Sequence, residues 1–322
     1  MTDILTLAHI QNARQRIASC VRRTPLTASA LLSERMRTNV YVKLELFQKT
    51  GSFKVRGAFN KALGLKAEER GRGLVAVSGG NHAQAVAYAA RTLGLKAVIL
   101  MPESTPPNYV DATRGYGAEI KFAANVGAAF AEVAEYERQG WVYIHPFDDP
   151  VVMAGQGTIG LEILDDVPQV TDIIVSIGGG GLIGGIGTAV RSLKPSVRVW
   201  GVETEGADCM SKSLAAGRIV TLDAITSIAR TLGAPAPSEF TLQLARELLE
   251  RVTVVSDAEA LAALRLILER LKVLTEPAAS CTLAAAERLR DQFSKERHVV
   301  LVFCGGNMPF GDLARLPGAQ AQ

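Results

Sequence analysis

From Gly73 onward the chain alternates short apolar runs with amphipathic stretches, and few folds accept that rhythm. Leu74–Val77, Ala97–Leu100, Ala118–Phe122 and Trp141–Ile144 read as strands. Between them, helical patterns cover Asn81–Leu93, Pro106–Tyr116 and Gly127–Arg138. The runs Leu74–Val77 and Ala97–Leu100 are apolar throughout, which marks strands buried on both faces in parallel sheets flanked by helices. The rhythm returns after Pro150, with a helix over Gly155–Leu164 and strands at Thr171–Ile177, Val197–Val202, Val252–Val255 and Val299–Cys304. Small-residue or amphipathic helices fill the intervals up to Leu193 and over Leu242–Arg251, Ala258–Leu271 and Ser280–Phe293, whereas residues 204–240 read as helix or loop without clear strands. Ahead of all this, Ile4–Ala18 and Ser29–Arg35 read as helices separated by a break at Pro25-Leu26, and Asn39–Leu44 as a strand. The expectation is an α/β protein of two parallel-sheet, three-layer domains. The smaller (72–146) is inserted into a discontinuous larger one (1–71 and 147–322), and the cleft between them is the ligand site.

The strand Asn39–Leu44 runs into the polar turn Lys49-Thr50-Gly51-Ser52, and good helix formers follow from Phe53 to Leu63. Ser52 is placed to cap that helix. Lys54 then falls in its first turn, where the macrodipole disfavours a cation. That placement, with desolvation by Phe53 and Phe47, lowers an amine pKa and makes a nucleophile. A lysine taken alone reads as a solvated surface residue; the whole stretch points elsewhere. Ser52-Phe53-Lys54-Val55-Arg56-Gly57 closely resembles the Schiff-base lysine segment of the serine/threonine dehydratase and serine racemase family, the fold-type II pyridoxal-phosphate enzymes. The resemblance makes Lys54 the cofactor lysine and implies pyridoxal 5'-phosphate.

Gly178-Gly179-Gly180-Gly181-Leu182 ends a buried strand and opens a helix, a place where backbone N–H groups approach an anion such as a phosphate dianion. A tight turn needing positive φ rarely needs four glycines in a row. Gly179-x-Gly181-x-x-Gly184, with Glu203 ending the next strand, also fits a dinucleotide fingerprint. In the family the tetraglycine loop, matched here position for position, cradles the cofactor phosphate.

Ser78-Gly79-Gly80-Asn81-His82-Ala83-Gln84 lies between a strand and a helix. Such a sequence serves either as an N-cap or as a carboxylate site. The resemblance assigns the Ser78–His82 loop to the substrate carboxylate and Asn81 to the pyridoxal 3-oxygen. Serine racemases have a second serine where Gly79 stands; glycine cannot transfer a proton, which speaks against racemisation by that route. Phe147, in His145-Pro146-Phe147-Asp148, also looks like the dehydratase version.

Cys304 reads alone as a core thiol, but by resemblance it faces the pyridine nitrogen, where a neutral group leaves the ring a weaker electron sink. Glu276 is either a carboxylate at a helix start or the family's acid beside the cofactor ring. Glu203, the Ala207 carbonyl and Asp208 resemble the family's cation site. Cys209 stands where the second acid belongs, and a plain surface loop is the competing reading. Tyr109, in Pro106-Pro107-Asn108-Tyr109, departs from the lysine-bearing helix start of these dehydratases and reads as an exposed helix residue.

A net charge of +3 leaves no footprint for nucleic acid or an anionic membrane, and no apolar run is long enough to span a bilayer. The N-terminus lacks signal-peptide order. Four cysteines and four histidines are scattered without metal-ligand spacing, as in a reduced cytoplasmic protein. By resemblance the expectation is an ammonia-lyase that turns a small β-hydroxy amino acid into a 2-oxo acid and ammonia. Its substrate is threonine, serine or a bulkier analogue such as phenylserine, and the enzyme is a homodimer or homotetramer. No regulatory domain follows before Gln322, so feedback control is not expected. An amino-acid racemase of the same fold and a dinucleotide-binding oxidoreductase are the alternatives.

Overall fold

A computed structural model describes residues 5–313. The chain opens with α1 (Leu7–Ile17), β1 (Leu26–Ala28), α2 (Ala30–Met36) and β2 (Asn39–Leu44), followed by α3 (Lys54–Leu63) and α4 (Ala67–Arg72). Next come β3 (Leu74–Val77), α5 (Asn81–Leu93), β4 (Ala97–Pro102), α6 (Pro107–Gly115), β5 (Glu119–Ala123), α7 (Val126–Arg138) and β6 (Val142–Tyr143). The rest comprises α8 (Pro150–Asp166), β7 (Asp172–Ser176), α9 (Gly181–Leu193), β8 (Arg198–Thr204) and α10 (Cys209–Ala216). Then follow α11 (Glu239–Leu248), β9 (Arg251–Val255), α12 (Asp257–Leu266), α13 (Pro277–Arg288), β10 (His298–Phe303) and the short α14 (Phe310–Leu313).

Two sheets result. One has six strands in the order β1-β2-β10-β7-β8-β9, and the other has four in the order β5-β4-β3-β6. Every pairing is parallel except that of β1 with β2, a three-residue antiparallel edge where the sequence suggested only a break. Parallel pairing of β2 with β10, down to Leu44 beside Phe303, brings the segments that leave these two strands together. They are then stitched: Ser52 bridges Gly305, Phe53 N–H donates to Cys304 O at 3.0 Å, and Gly306 N–H to Gly51 O at 3.0 Å.

Several boundaries differ from the sequence reading, each for a local reason. The helix expected from Gly155 starts at Pro150, because Asp149 accepts from the N–H groups of Val151 and Val152 and proline suits a first helical position. The helix expected to Leu271 leaves α geometry after Leu266 through a π turn over Ile267–Leu271. Ile4, the expected start of the first helix, lies outside the described residues. Ser52 does not cap α3: its backbone is extended, Phe53 occupies the cap position, and the Ser52 hydroxyl is buried without a hydrogen-bond partner among the described residues. Phe47, expected to desolvate Lys54, is 42% exposed.

The head of α3 is anchored by a buried charge network. Arg56 binds both oxygens of Glu45 at 2.8 Å and both of Glu162, on α8, at 2.7 and 2.9 Å. Lys43 Nζ adds a 2.6 Å bond to Glu162 and a 2.8 Å bond to Thr24 O. Two cations and two anions thus pair within the core, where an unpaired charge is costly. The helices behind the site pack closely: a Cβ on Gly185 of α9 would lie 2.4 Å from Met153 O of α8.

Candidate active site

The segments that follow β2, β3, β7 and β10 all leave the carboxyl ends of parallel strands, where ligand sites of α/β folds form. They converge on a cleft of about 310 Å³ between the two sheets. The four motifs singled out in the sequence meet there: Lys54, the Ser78–His82 loop, the tetraglycine turn and Cys304.

Lys54 is the first residue of α3 and is half-buried on the cleft wall. Its Nζ donates to Pro146 O at 2.6 Å and lies 5.2 Å from the centroid of the Phe53 ring. Burial lowers its pKa to about 8, against the opposing pull of Cys304 and Glu276. An amine tuned this way has a substantial neutral fraction near neutral pH.

The tetraglycine turn follows β7 and opens α9. Gly180 has φ +96°, a conformation that excludes most side chains, and a Cβ on Gly179 would overlap the Phe147 ring at 2.2 Å. No side chain caps α9, so its first-turn N–H groups are open to an anion. Phe147 is held by His145, whose Nδ1 accepts from Phe147 N–H at 3.2 Å and Asp148 N–H at 2.7 Å. Burial keeps the His145 ring neutral, with its pKa lowered to about 4.

The Ser78–His82 loop leads into α5, also without a side-chain cap. Ser78 Oγ accepts from Gly80 N–H at 3.1 Å, shaping the loop from within. His82 Nε2 donates to Ile144 O at 2.7 Å, which leaves Nδ1 unprotonated; burial lowers its pKa to about 3. Asn81 looks away from the loop: its Nδ2 donates to both oxygens of Glu276, and its Oδ1 accepts from Asn307 Nδ2 at 2.8 Å.

Glu276 is the N-cap of α13 and is buried, which raises its pKa to about 7 in spite of hydrogen bonds from Asn81 and Thr231. Cys304 is buried too, with Ser176 Oγ at 3.8 Å, and burial pushes its thiol well above the ordinary range. It stays protonated.

Sequence reasoning missed part of this wall. Thr231 Oγ1 donates to Glu276 at 2.8 Å from a loop with no regular pattern to flag it. Asn307 follows two glycines with no pattern to mark it, yet it ties Asn81 to Thr50 O. Tyr109 is not an exposed helix residue. It is only 7% exposed, lines the cleft, and its hydroxyl donates to Asn307 O. A buried phenol needs such a partner, a requirement the helical pattern alone does not reveal.

The group suggested for a cation or a ribose has other work. Glu203 Oε1 and Oε2 accept from the N–H groups of Met210 and Ser211 at 2.9 and 2.7 Å, closing the start of α10. Burial holds its carboxyl up at about 8. Asp208 pairs with Lys212 at 3.0 Å, and Ala207 N–H donates to Thr204 O at 2.9 Å. Among the described residues no three His, Cys, Asp or Glu side chains cluster to hold a metal ion, and no helix is long and apolar enough to cross a membrane.

A cleft of this construction, with a lysine of lowered pKa at a helix start and an uncapped glycine turn, is that of a fold-type II pyridoxal-phosphate enzyme. Residues 17–305 match the family model described as "Pyridoxal-phosphate dependent enzyme", and the chain belongs to that family. It is 40% identical over 315 residues to the L-threonine ammonia-lyase of Thermotoga maritima, covering 97% of this chain and 78% of that one. The structure is similar to that of maize serine racemase (35% identity, TM-score 0.92, 97% and 96% of the two chains). It is also similar to the serine racemase of Dictyostelium discoideum (34% identity, TM-score 0.89, 95% and 100%) and to the T.th. threonine deaminase (41% identity, TM-score 0.88, 95% and 99%). The donor set fits the cofactor: a neutralisable amine for the aldehyde, uncapped N–H groups for the phosphate, and a neutral thiol among the lining groups.

Proposed function

We propose that this pyridoxal-phosphate dependent carbon–oxygen lyase dehydrates threonine and serine to a 2-oxo acid and ammonia, and that phenylserine is a bulkier substrate of the same site. The observation that carries the reading is Lys54, an amine of lowered pKa at a helix start facing an uncapped glycine turn. When bound, the cofactor supplies the electron sink for charge at the substrate Cα.

The residues divide the remaining work. Lys54 Nζ holds the aldehyde at rest and, once free, takes the Cα proton. First-turn N–H groups of α5 and the Ser78–His82 loop hold the α-carboxylate. The glycine turn, with Leu182, holds the phosphate. Phe53 shields one side of Lys54, while Asn81 and Glu276 fix the wall beside the ring. Cys304 stays neutral, which suits prompt loss of the β-hydroxyl as water. Phe130, Phe147 and Tyr109 give the cleft an aromatic lining that accommodates an aryl β-substituent. Gly79 offers no proton-transferring group, which weighs against racemisation.

The test is ammonia and 2-oxo acid release from serine, threonine, hydroxyaspartate and phenylserine, alongside the absorbance of the holoenzyme. A visible band bleached by borohydride, with reduced cofactor fixed on Lys54, is expected. Interconversion of serine enantiomers faster than ammonia release would overturn the lyase reading in favour of a racemase. A protein that stays colourless with pyridoxal phosphate but answers a dinucleotide would overturn both.

A further inference from the structure

A side chain on Gly79 would begin 2.5 Å from Thr105 Oγ1, so glycine is what leaves that hydroxyl its room. Thr105 comes from a different segment, the turn after β4, where its N–H donates to Pro102 O at 2.9 Å. It lines the same cleft as Lys54 and the Ser78–His82 loop. Its hydroxyl oxygen is buried, and no atom of the described residues hydrogen-bonds it. Ser78 Oγ, another hydroxyl lining the cleft, accepts from Gly80 N–H at 3.1 Å.

A buried hydroxyl without a partner is costly, and one that faces a ligand cleft is satisfied when a ligand supplies the partner. The partner on offer is what docks on the loop. We infer that Thr105 Oγ1, in the room that Gly79 leaves, donates a hydrogen bond to the carboxylate of the bound amino acid. This rests on the proposed docking of that carboxylate on the Ser78–His82 loop. Thr105 is then a substrate-positioning residue, and Gly79 and Thr105 form one steric unit.

The test uses the holoenzyme and two ligands that lack a β-leaving group: glycine, which has the carboxylate, and ethylamine, which does not. Binding is read from the change in cofactor absorbance. Thr105→Val, which keeps shape and removes the hydroxyl, is expected to weaken glycine by roughly tenfold or more, the scale of a hydrogen bond to a charged group. Ethylamine should bind as in the native protein, and Thr105→Ser should retain glycine affinity within about threefold. Thr105→Ala serves where valine does not fold, and Gly79→Ser combined with Thr105→Ala, which moves the hydroxyl to the other segment, should recover most of the lost affinity. Glycine affinity unchanged in Thr105→Val, an equal loss for both ligands, or no recovery in the pair overturns the inference while leaving the lyase reading intact. A native holoenzyme whose spectrum answers neither ligand overturns both.

Discussion

Both carboxylate oxygens of Glu276 accept from Asn81 Nδ2, at 2.9 and 3.1 Å, although the two residues stand 195 positions apart. Burial raises the Glu276 pKa to about 7, above its ordinary value of 4.5. Between those two values the unfolded chain has released a proton that the folded one keeps, so stability falls as pH rises through that window. Glu276→Gln removes this dependence. The unfolding free energy of the variant, relative to wild type, is expected to rise by on the order of 3 kcal/mol between pH 4 and pH 8. Urea titrations of cofactor-free protein at several pH values measure it, and a pH-independent difference would count against a protonated Glu276.

Lys54 makes a kinetic prediction. Its pKa of about 8 means that roughly one amine in ten is neutral at pH 7, where an ordinary lysine offers fewer than about one in a thousand. Capture of pyridoxal phosphate by the cofactor-free protein, followed by absorbance, should therefore accelerate with pH and level off above about pH 8. Acceleration continuing to pH 10 would show an untuned amine. Lys54→Ala should bind the cofactor without the imine band and lose activity by roughly 10²-fold or more.

Gly179 and Gly180 test the phosphate turn. Alanine at 179 drives a methyl into the Phe147 ring, and alanine at 180 is strained at φ +96°. Either substitution displaces the N–H groups proposed to hold the phosphate, and cofactor retention in equilibrium dialysis should weaken by about tenfold or more. Gly94→Ala, also at positive φ but open on all sides and at the far end of α5, should leave retention unchanged. Equal behaviour of all three variants would remove the turn from the site.

Arg56 carries a stability prediction. Arg56→Met leaves Glu45 and Glu162 buried with only Lys43 and Thr24 to offset them, and should cost about 3–5 kcal/mol in urea unfolding. Exposed pairs such as Arg265–Glu269 are the contrast: Arg265→Ala should cost far less. A loss at Arg56 no larger than at Arg265 would mean the buried network adds nothing.

The sequence by itself determined the elements and their chemistry. Continuous apolar runs at β3, β4, β7 and β10 require burial on both faces, hence parallel sheets under helices. Lys54, the four glycines and the Ser78–His82 loop each lie between a strand and a helix, but their roles were legible through the resemblance of whole segments to the family's motifs, because local pattern alone leaves a surface lysine, a tight turn and an N-cap as readings. Which transitions face one another was decided by tertiary structure. Pairing β2 with β10 joins residues 50–53 to residues 304–307, and no local propensity encodes that contact. The same holds for Asn81 with Glu276, Tyr109 with Asn307, and Thr105 beneath Gly79. The first two depend on a buried polar group finding its partner across the fold. For Glu203, strand position suggested a ligand, whereas packing gave the carboxylate to the unpaired N–H groups of α10. A helix terminus inside a core must be satisfied, and only the folded chain shows which side chain does it.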